Sequence, residues 1–594
     1  MKDKETASPL HSRIETEISN YLTCKIEVSP GVFFSQHKTI NRINKFKNRD
    51  LTGTKINPDL SYDYYFDIVS PRTDSEVKNL RFDTKHILVF SQNPRKDFPA
   101  VFIANAMLKS WMAESGEDLE LKSAIEEFVS NGNIGFKKIS GGYERVDMSN
   151  TFITNQKAET INDTDLIERY EMTASQIKVM KAWDSEVADE VIKNLGNKTF
   201  TAEKETTPIT SSAKRYEIYE YTGEVSEKEF NQIKGEDGEK DGDEHVYFLA
   251  KVIVAGLSRG GKGKKYTLFA EKLKGEMSDS YIYAHRGRYG GRFWRVGMIE
   301  LLFDHQVRAN EIANQLARGM EWASKVVFKS ADSRVLQNIR ADLDNGDVVI
   351  TDDLSQVDVR MRGMDQLIDE WNRVQVDADK LSNSFEVVRG ESMPSGTPFR
   401  LTALIDANAG KMFTLLRQKI TLPYKRVFRE WVLPELVKNL KGKDIFRFVG
   451  ETEILDQLKE LMVNKWYVDN LVKIGPHTKE LADAIKEEKI EELKETDPII
   501  ENTKEIWKGV MPRLFITITG ENSDAADNIQ DMVQLLQLEQ DPMRIAFLLD
   551  SIYKIRGIPV PPLLEEAPVE TQMEQRTKEV ETPEKREIKQ PVIQ

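Results

Sequence analysis

MDQLIDEWNRVQVDADKLSNSFEVVRGESMPSGTPFR, residues 364–400, is the stretch on which the fold of this chain turns. Met364, Leu367, Ile368, Trp371, Val374, Ala378, Leu381, Phe385 and Val388 fall mostly three or four residues apart, which gathers them on one stripe of an α-helix. Asp369, Asn372, Asp379 and Lys380 take the opposite face. A stripe this regular needs a partner, so Leu367, Trp371, Val374 and Leu381 are expected to pack on a second helix. Then the pattern stops. Gly390, Pro394, Gly396 and Pro398 interrupt both helix and strand, so 389–400 is expected to be a loop.

Working outward, residues 297–323 repeat the helical spacing with Ile299, Leu302, Ala309, Ile312, Leu316, Met320 and Ala323. Between the two helices, 324–329 and 348–351 read as strands, with Asn345-Gly346 as a hairpin-type turn. Beyond the loop, Ile405, Ala409, Met412, Leu416, Ile420, Tyr424, Val427 and Trp431 predict a long helix, and Pro423 inside it predicts a kink. Farther upstream, 62–68 reads as a strand and 98–129 as helical. Short strands follow over 136–154, turning at Gly141-Gly142. Residues 166–195 read as helix, with Thr173 and Gln176 spaced as a capping box. Residues 216–221, 246–255 and 266–270 are strand-like; the acidic segment 222–244 between the first two is expected to be a solvated loop. Downstream, 451–510 is charged and helical, 514–519 a strand, and 525–538 and 542–555 helices. The fold class is therefore α+β, in several domains.

The 594 residues suggest about four domain-sized units at roughly 150 residues each. Hydrophobic residues make up 39% of the chain, enough for large cores. Lys and Arg number 84 against 98 Asp and Glu, a net charge of −14, which excludes a globally basic DNA coat. A single cysteine, Cys24, excludes an internal disulfide and a thiolate zinc cage and suits a reducing compartment. The first residues lack the apolar core of a signal peptide. The most apolar stretch, 246–257, is too short to span a bilayer and contains Lys251, so no membrane association is expected.

Gly256-Leu-Ser-Arg-Gly-Gly261-Lys262-Gly263 nearly spells a phosphate-binding loop. It has Gly263 where Ser or Thr should hold magnesium, and a strand-like stretch where a helix should follow, so a hairpin loop is the better reading. The seven histidines show no metal-ligand spacing, Gly390-Glu-Ser392-Met-Pro394 lacks the last glycine of a nucleophile elbow, and Asp342, Asp344 and Asp347 miss the calcium-loop register. No catalytic, cofactor-binding or metal-binding residue is assigned. His285-Arg-Gly-Arg-Tyr-Gly-Gly-Arg-Phe-Trp-Arg295 is the most nucleic-acid-like segment, because Arg286, Arg288, Arg292 and Arg295 could meet phosphates while the rings stack bases. The alternative is a Gly-rich lead-in to the next helix with its arginines paired to acidic neighbours. The acidic balance of the chain favours that alternative.

The order of segments from about 280 to 435 resembles a portal protein of tailed bacteriophages. The resemblance rests on Tyr289-Gly290-Gly291, then the helix carrying Gln306, Asn310 and Asn314, a small strand insert, the second helix, the loop V-R-G-E-S-M-P-S-G-T, and the long helix broken at Leu422-Pro423. Phe515-Ile-Thr-Ile-Thr-Gly-Glu-Asn522 is similar to late portal segments. The resemblance implies a wing at 1–290 (with the acidic loop 222–244), a first stem helix at 291–323, a clip at 324–360 and a second stem helix at 361–388. A tunnel loop at 389–400, a long kinked helix at 401–435, a wing or crown region at 436–564 and a disordered tail at 565–594 complete it.

It also implies a structural role without enzymatic activity. Such subunits form a ring, typically of twelve copies, at one capsid vertex. Double-stranded DNA is packaged and ejected through that channel. The ring docks terminase and the head–tail adaptor and contacts the major capsid protein. The chain would be made in the bacterial cytoplasm and end in the virion. Arg389, Ser392, Ser395, Thr397 and Arg400 are the expected tunnel-loop contacts to DNA, made to the backbone without reading sequence. The alternatives are a nucleotide-driven DNA motor built on Gly256–Lys262, or another virion structural or scaffold protein.

Overall fold

The computed structural model describes residues 8–50, 65–84, 87–92, 94–195, 215–234, 245–257, 264–324, 327–329, 355–357, 363–384, 399–438, 479–492 and 510–518, with isolated positions at 463, 467, 507 and 533. Helices and antiparallel sheets together make it an α+β protein. The chain divides into two compact units, residues 1–84 with 112–436, and 85–111 with 437–594. The stretch 1–290 thus contributes to both.

The first unit begins with α1 (Pro9–Thr23), the hairpin β1 (Ile26–Ser29) and β2 (Val32–Phe34), α2 (Gln36–Lys47) and α3 (Val69–Leu80). Residues 65–67 are not a strand: Asp67 Oδ1 accepts from the N–H groups of Val69 and Ser70 at 3.1 and 2.9 Å, and so starts α3. Next in the chain are β3 (Ile87–Ser91) and α4 (Pro94–Ser115), then α5 (Glu117–Asn131), β4 (Asn133–Ile139), β5 (Gly142–Val146), β6 (Thr151–Ile153) and β7 (Leu166–Thr173). The helical reading of 98–129 is two helices, parted at Gly116, which is left-handed at φ +71°. Gly132 closes α5 at φ +79°, and a Cβ there would run into the backbone of Gly297, so both glycines permit one close crossing.

The helix expected over 166–195 is instead β7 followed by α6 (Ala174–Val179) and α7 (Ser185–Asn194). Tertiary pairing overrode local pattern: all eight residues of β7 pair in register with β8 (Arg215–Ser226), from Leu166↔Thr222 to Thr173↔Arg215. The capping box does form, with Thr173 and Gln176 capping each other at the start of α6. The expected acidic loop is also corrected over its described part. Residues 222–226 complete β8, and 227–234 form α8 (Glu227–Lys234). Phe230 supplies the reason, being buried and edge-on to Phe248 with ring centroids 5.1 Å apart. Residues 235–244 lie outside the described residues.

With β9 (Tyr247–Ala255) and β10 (Tyr266–Lys272), these strands form a five-stranded sheet in the order β10-β9-β8-β7-β6. Alternation sets its two faces. Tyr219, Tyr221, Val252 and Val254 pack with Leu10, Ile14 and Ile18 of α1 and Phe230 of α8. Tyr216, Ile218, Ile253 and Ala255 pack with Ile177, Ala188 and Val191 of α6 and α7. After α9 (Met277–Ser280), β11 (Tyr281–His285) joins β4 and β5 in a three-stranded sheet, β11-β4-β5.

The helical part runs α10 (Met298–Leu301), α11 (Phe303–Ser324), β12 (Val327–Lys329), β13 (Ser355–Val357), α12 (Met364–Ser382) and α13 (Phe399–Arg426). α11 packs on α12, and β12 pairs antiparallel with β13. The strand predicted at 348–351 and the turn at 345–346 lie outside the described residues. Asn383 ends α12 in the left-handed region; Phe385 and Val388 lie outside the described residues. α13 rests on β11 and α3. At Pro423 it does not stop: a π-helical turn, Val427–Val432, follows and leads into α14 (Leu433–Lys438). A proline removes one i→i−4 bond, and a π turn is a known way to absorb the irregularity. Leu416, Ile420, Tyr424, Val427 and Trp431 are all buried, as the spacing predicts.

In the second unit, β3 pairs antiparallel with β14 (Leu514–Ile518), the strand expected at 514–519, and α15 (Lys479–Glu492) precedes it. Asn105 of α4 holds the free side of β3, accepting from Val89 N at 2.8 Å and donating to Val89 O at 2.9 Å. Arg513 grips the buried carboxylate of Asp97 with two hydrogen bonds of 2.9 and 2.6 Å. The helices expected over 525–555 and the tail lie outside the described residues.

Candidate functional site

Three constellations in the first unit carry polar chemistry. The first lies on the helix pair. Gln306 and Asn310, one turn apart on α11, are fully buried. Asn310 Oδ1 accepts from Phe66 N at 2.8 Å. Gln306 Oε1 accepts from Ile68 N at 3.0 Å, and its Nε2 donates to Phe66 O at 2.6 Å. The two amides therefore satisfy an extended backbone segment as a neighbouring strand would. Trp371 of α12 closes the same segment, edge-on to Phe66 at 4.2 Å. Buried Arg72 ties α3 to α12, through Asp379 at 2.7 Å and Gln375 Oε1 at 3.0 Å. Of the residues predicted to pack here, Val374 is buried, Leu367 and Trp371 are half-buried, and Leu381 is exposed.

The second is an ionic cluster between the two sheets. Lys137 of β4 lies 2.9 Å from Glu168 of β7 and 2.6 Å from Glu220 of β8; Lys251 of β9 lies 2.8 Å from Glu220. Tyr170 and Tyr281 donate to Glu168 at 2.8 and 2.7 Å. Burial opposes the charge on Lys137, but Glu168 and Glu220 outweigh it and hold the ammonium above its ordinary value. Burial likewise opposes the charge on Glu220, and Lys137 with Lys251 brings it below the usual range. Close by in the fold, Glu117 at the start of α5 accepts from Tyr143 of β5, and burial pushes its carboxyl up to about 7, with Glu120 and Asp118 adding to the rise.

The third is the arginine-rich segment, and the structure splits it. Arg286 is buried on Glu76, with two hydrogen bonds of 2.6 and 2.9 Å. Arg292 makes two to Glu300, at 2.8 and 2.9 Å, and its guanidinium lies 4.0 Å over Phe34. These two follow the acid-paired reading. Arg288 is exposed. Arg295 is buried, donates to Glu159 O at 3.1 Å and stacks 4.3 Å over the Tyr289 ring. Asn133 organises the strand end. Its Oδ1 accepts from Arg295 N and from His285 Nδ1, both at 2.8 Å, and its Nδ2 donates to Arg295 O at 2.9 Å. Burial, then Arg295 and Lys419, push His285 down to about 3, so the ring is neutral. Lys419 of α13 donates to Arg286 O at 2.7 Å.

Sequence reasoning missed Arg72, Glu76, Glu117 and Lys419. Each meets its partner across a long stretch of chain, so no local spacing announces it. Arg389, Ser392, Ser395 and Thr397 lie outside the described residues; for Arg400 only its place in the backbone of α13 is described. Among the described residues, no group of three or more His, Cys, Asp or Glu is placed to hold a metal ion, and no helix is long and apolar enough to cross a membrane. The chain matches no protein-family model and no curated protein.

Proposed function

We propose that the chain is the subunit of a portal ring, the conduit through which viral double-stranded DNA enters and leaves a capsid, and the dock for terminase and the head–tail adaptor. The observation that carries this reading is the arrangement over 303–426. Two packed helices, α11 and α12, enclose an insert whose described ends pair as β12 and β13, and a long helix with a π turn just after Pro423 follows. That is the order of stem, clip, stem and long helix that the sequence resembles.

The helix pair also looks unfinished in a single chain. Met320 is 60% exposed, and Ile368, Val376 and Leu381 are 43%, 49% and 44% exposed. A neighbouring copy in a ring would cover such side chains. The acidic balance suits a conduit, because repulsion of phosphates opposes sticking. In this reading the ring sits at the portal vertex of the virion, beside the major capsid protein, and its tunnel loops touch DNA transiently.

The motor alternative gains nothing from the geometry around Gly256. The antiparallel strand β10 follows, with Tyr266 opposite Ala255, where a phosphate-binding loop needs a helix. Negative-stain electron microscopy of the purified protein tests the proposal. Rings with a central hole and about twelve-fold symmetry are expected. Fibres, flat sheets or persistent monomers would sink it.

A further inference from the structure

We propose that α2 and the turn just past its end present a basic strip, Lys38, Arg42, Lys45 and Arg49, that binds the phosphate backbone of double-stranded DNA. From Val28 to Arg49 the chain carries no Asp or Glu, although 98 of its 594 residues are acidic. Within that run Lys38, Arg42 and Lys45 are four and three residues apart. Helical geometry alone therefore puts them on one side of α2, with neighbouring Cβ atoms about 5–6 Å apart. Arg49 follows the Asn48 cap, at a left-handed φ of +55°.

The strip lies at the surface. Ile40, Ile43 and Phe46 take the inner side of α2 and are buried. Lys38, Lys45 and Arg49 are exposed, and so are Asn41 and Asn48, whose amides can also meet phosphate oxygens. Arg42 keeps 41% of its side chain in solvent, while the Phe303 ring, 4.3 Å from the guanidinium, steadies its stem. Nearby acids neutralise the strip poorly. Lys38 has no carboxylate within ion-pair distance among the described residues. Arg42 meets Asp304 at 3.8 Å, but that carboxylate is itself 97% exposed, and such a pair contributes little. Arg49 lies 3.2 Å from Asp67, whose oxygens already accept from Val69 N, Ser70 N and Ser70 Oγ at the start of α3. An approaching phosphate can compete with both.

The make-up of the strip selects its partner. Every apolar residue of α2 is buried, so the helix offers nothing to insert into a lipid surface. A folded protein partner would look for an apolar or aromatic anchor at the centre of the contact, and the outer side of α2 has none. A row of cations and amides matches a row of phosphates, and such contacts hold DNA without reading its sequence. The net charge of −14 opposes DNA over the chain as a whole, which favours contact at this acid-free segment. The strip is separate from residues 389–400, and the inference does not rest on the portal reading.

The test uses the full chain and a labelled DNA duplex, followed by fluorescence anisotropy across a salt series. Affinity should fall as salt rises, with a log–log slope of about −3 for three or four phosphate contacts. Lys38→Gln combined with Lys45→Gln should make that slope shallower by about 2 and weaken binding at low salt by at least about tenfold. Lys38→Gln alone should make it shallower by about 1. Gln is a good helix former, so the melting temperature should stay close to the parent's. Lys122→Gln with Lys178→Gln, exposed on α5 and α6, removes the same charge and should leave affinity within about twofold of the parent. A second duplex of unrelated sequence should bind as well as the first. No salt-dependent binding by the parent, equal binding by the Lys38/Lys45 variant, or an equal loss in the Lys122/Lys178 control would overturn the proposal. Anionic vesicles or polyglutamate that displace the duplex at lower charge concentration than unlabelled DNA would overturn it too, assigning the strip to a lipid surface or an acidic protein. A changed assembly state of the Lys38/Lys45 variant without DNA, read by sedimentation, would make the strip a subunit contact and likewise overturn it.

Discussion

The two sheets and the helix pair of the first unit handle buried polarity with different mixtures of charge and neutral amide. Between the sheets, Lys137, Glu168 and Glu220 are buried, half-buried Lys251 balances their charge, and two tyrosine hydroxyls use further carboxylate lone pairs. That region is closed chemically within one chain. On the helix pair, the neutral amides of Gln306 and Asn310 do most of the inward work beside a single ion pair, Arg72 with Asp379, while Ile368, Val376 and Leu381 face out. A buried ion cluster fixes one geometry at a cost in desolvation. An amide pair with an apolar outer face leaves an element that is firmly attached on one side and ready for a neighbour on the other.

The contrast is broken most severely by Lys137→Met. The carboxylates of Glu168 and Glu220 would share only Lys251 and the tyrosines, and breaking a buried pair in this way costs about 3–5 kcal/mol. Urea unfolding should show that loss, while α-helical content at low denaturant stays unchanged. A loss under about 1 kcal/mol would mean that water reaches the cluster.

Glu117 gives the next effect, and it has a sign. The folded carboxyl keeps its proton up to about 7, against an ordinary value of 4.5 in the unfolded chain. Between those values the folded state binds more protons, so this group makes stability fall as pH rises from about 4.5 to about 7. A shift of this size corresponds to about 3 kcal/mol by order of magnitude. Glu117→Gln should remove the slope and leave the variant more stable than the parent above about pH 8. Parallel curves of stability against pH for the two proteins would show that Glu117 is solvated.

On the helix pair, Gln306→Leu should cost about 1–3 kcal/mol, because buried Ile68 N would lose its partner and half-covered Phe66 O would lose one as well. Hydrogen exchange should speed up at Ile68 ahead of the β8 and β9 amides. Uniform acceleration would mean that the amides support the whole unit and not the segment 66–68 alone.

How much of this was legible differs between the same two regions. The helices at 303–324 and 364–382 and the buried row from Leu416 to Trp431 could be read directly, since periodicity is a local signal. The strands β7 and β8 were harder. Glu168 and Glu220 look solvent-facing in sequence, and the partner that buries them, Lys137, comes from the opposite sheet. The acidic run after β8 hid α8 because charge counts outweighed the single apolar anchor Phe230. The arginine segment was half legible: pairing with acids was expected as a class, but Glu76 and Lys419 are separated from it by more than a hundred residues and carry no motif.

The smallest expected change in stability bears most directly on the contrast. Ile368 and Leu381 lie on the outer side of α12, 43% and 44% exposed, so the single chain gains little from burying them. Replacing both with Lys should alter unfolding free energy by no more than about 0.5 kcal/mol per site, since surface changes away from caps and buried networks fall in that range. Lys is a good helix former, so the helix itself is retained. Assembly should respond quite differently. If a second copy covers this face, two desolvated ammonium groups per interface oppose association by several kcal/mol. Sedimentation should then show monomers with the parent's circular dichroism and melting temperature. An intact ring from the double variant would place these side chains on open solvent surface and remove the packing argument for a neighbour on α12.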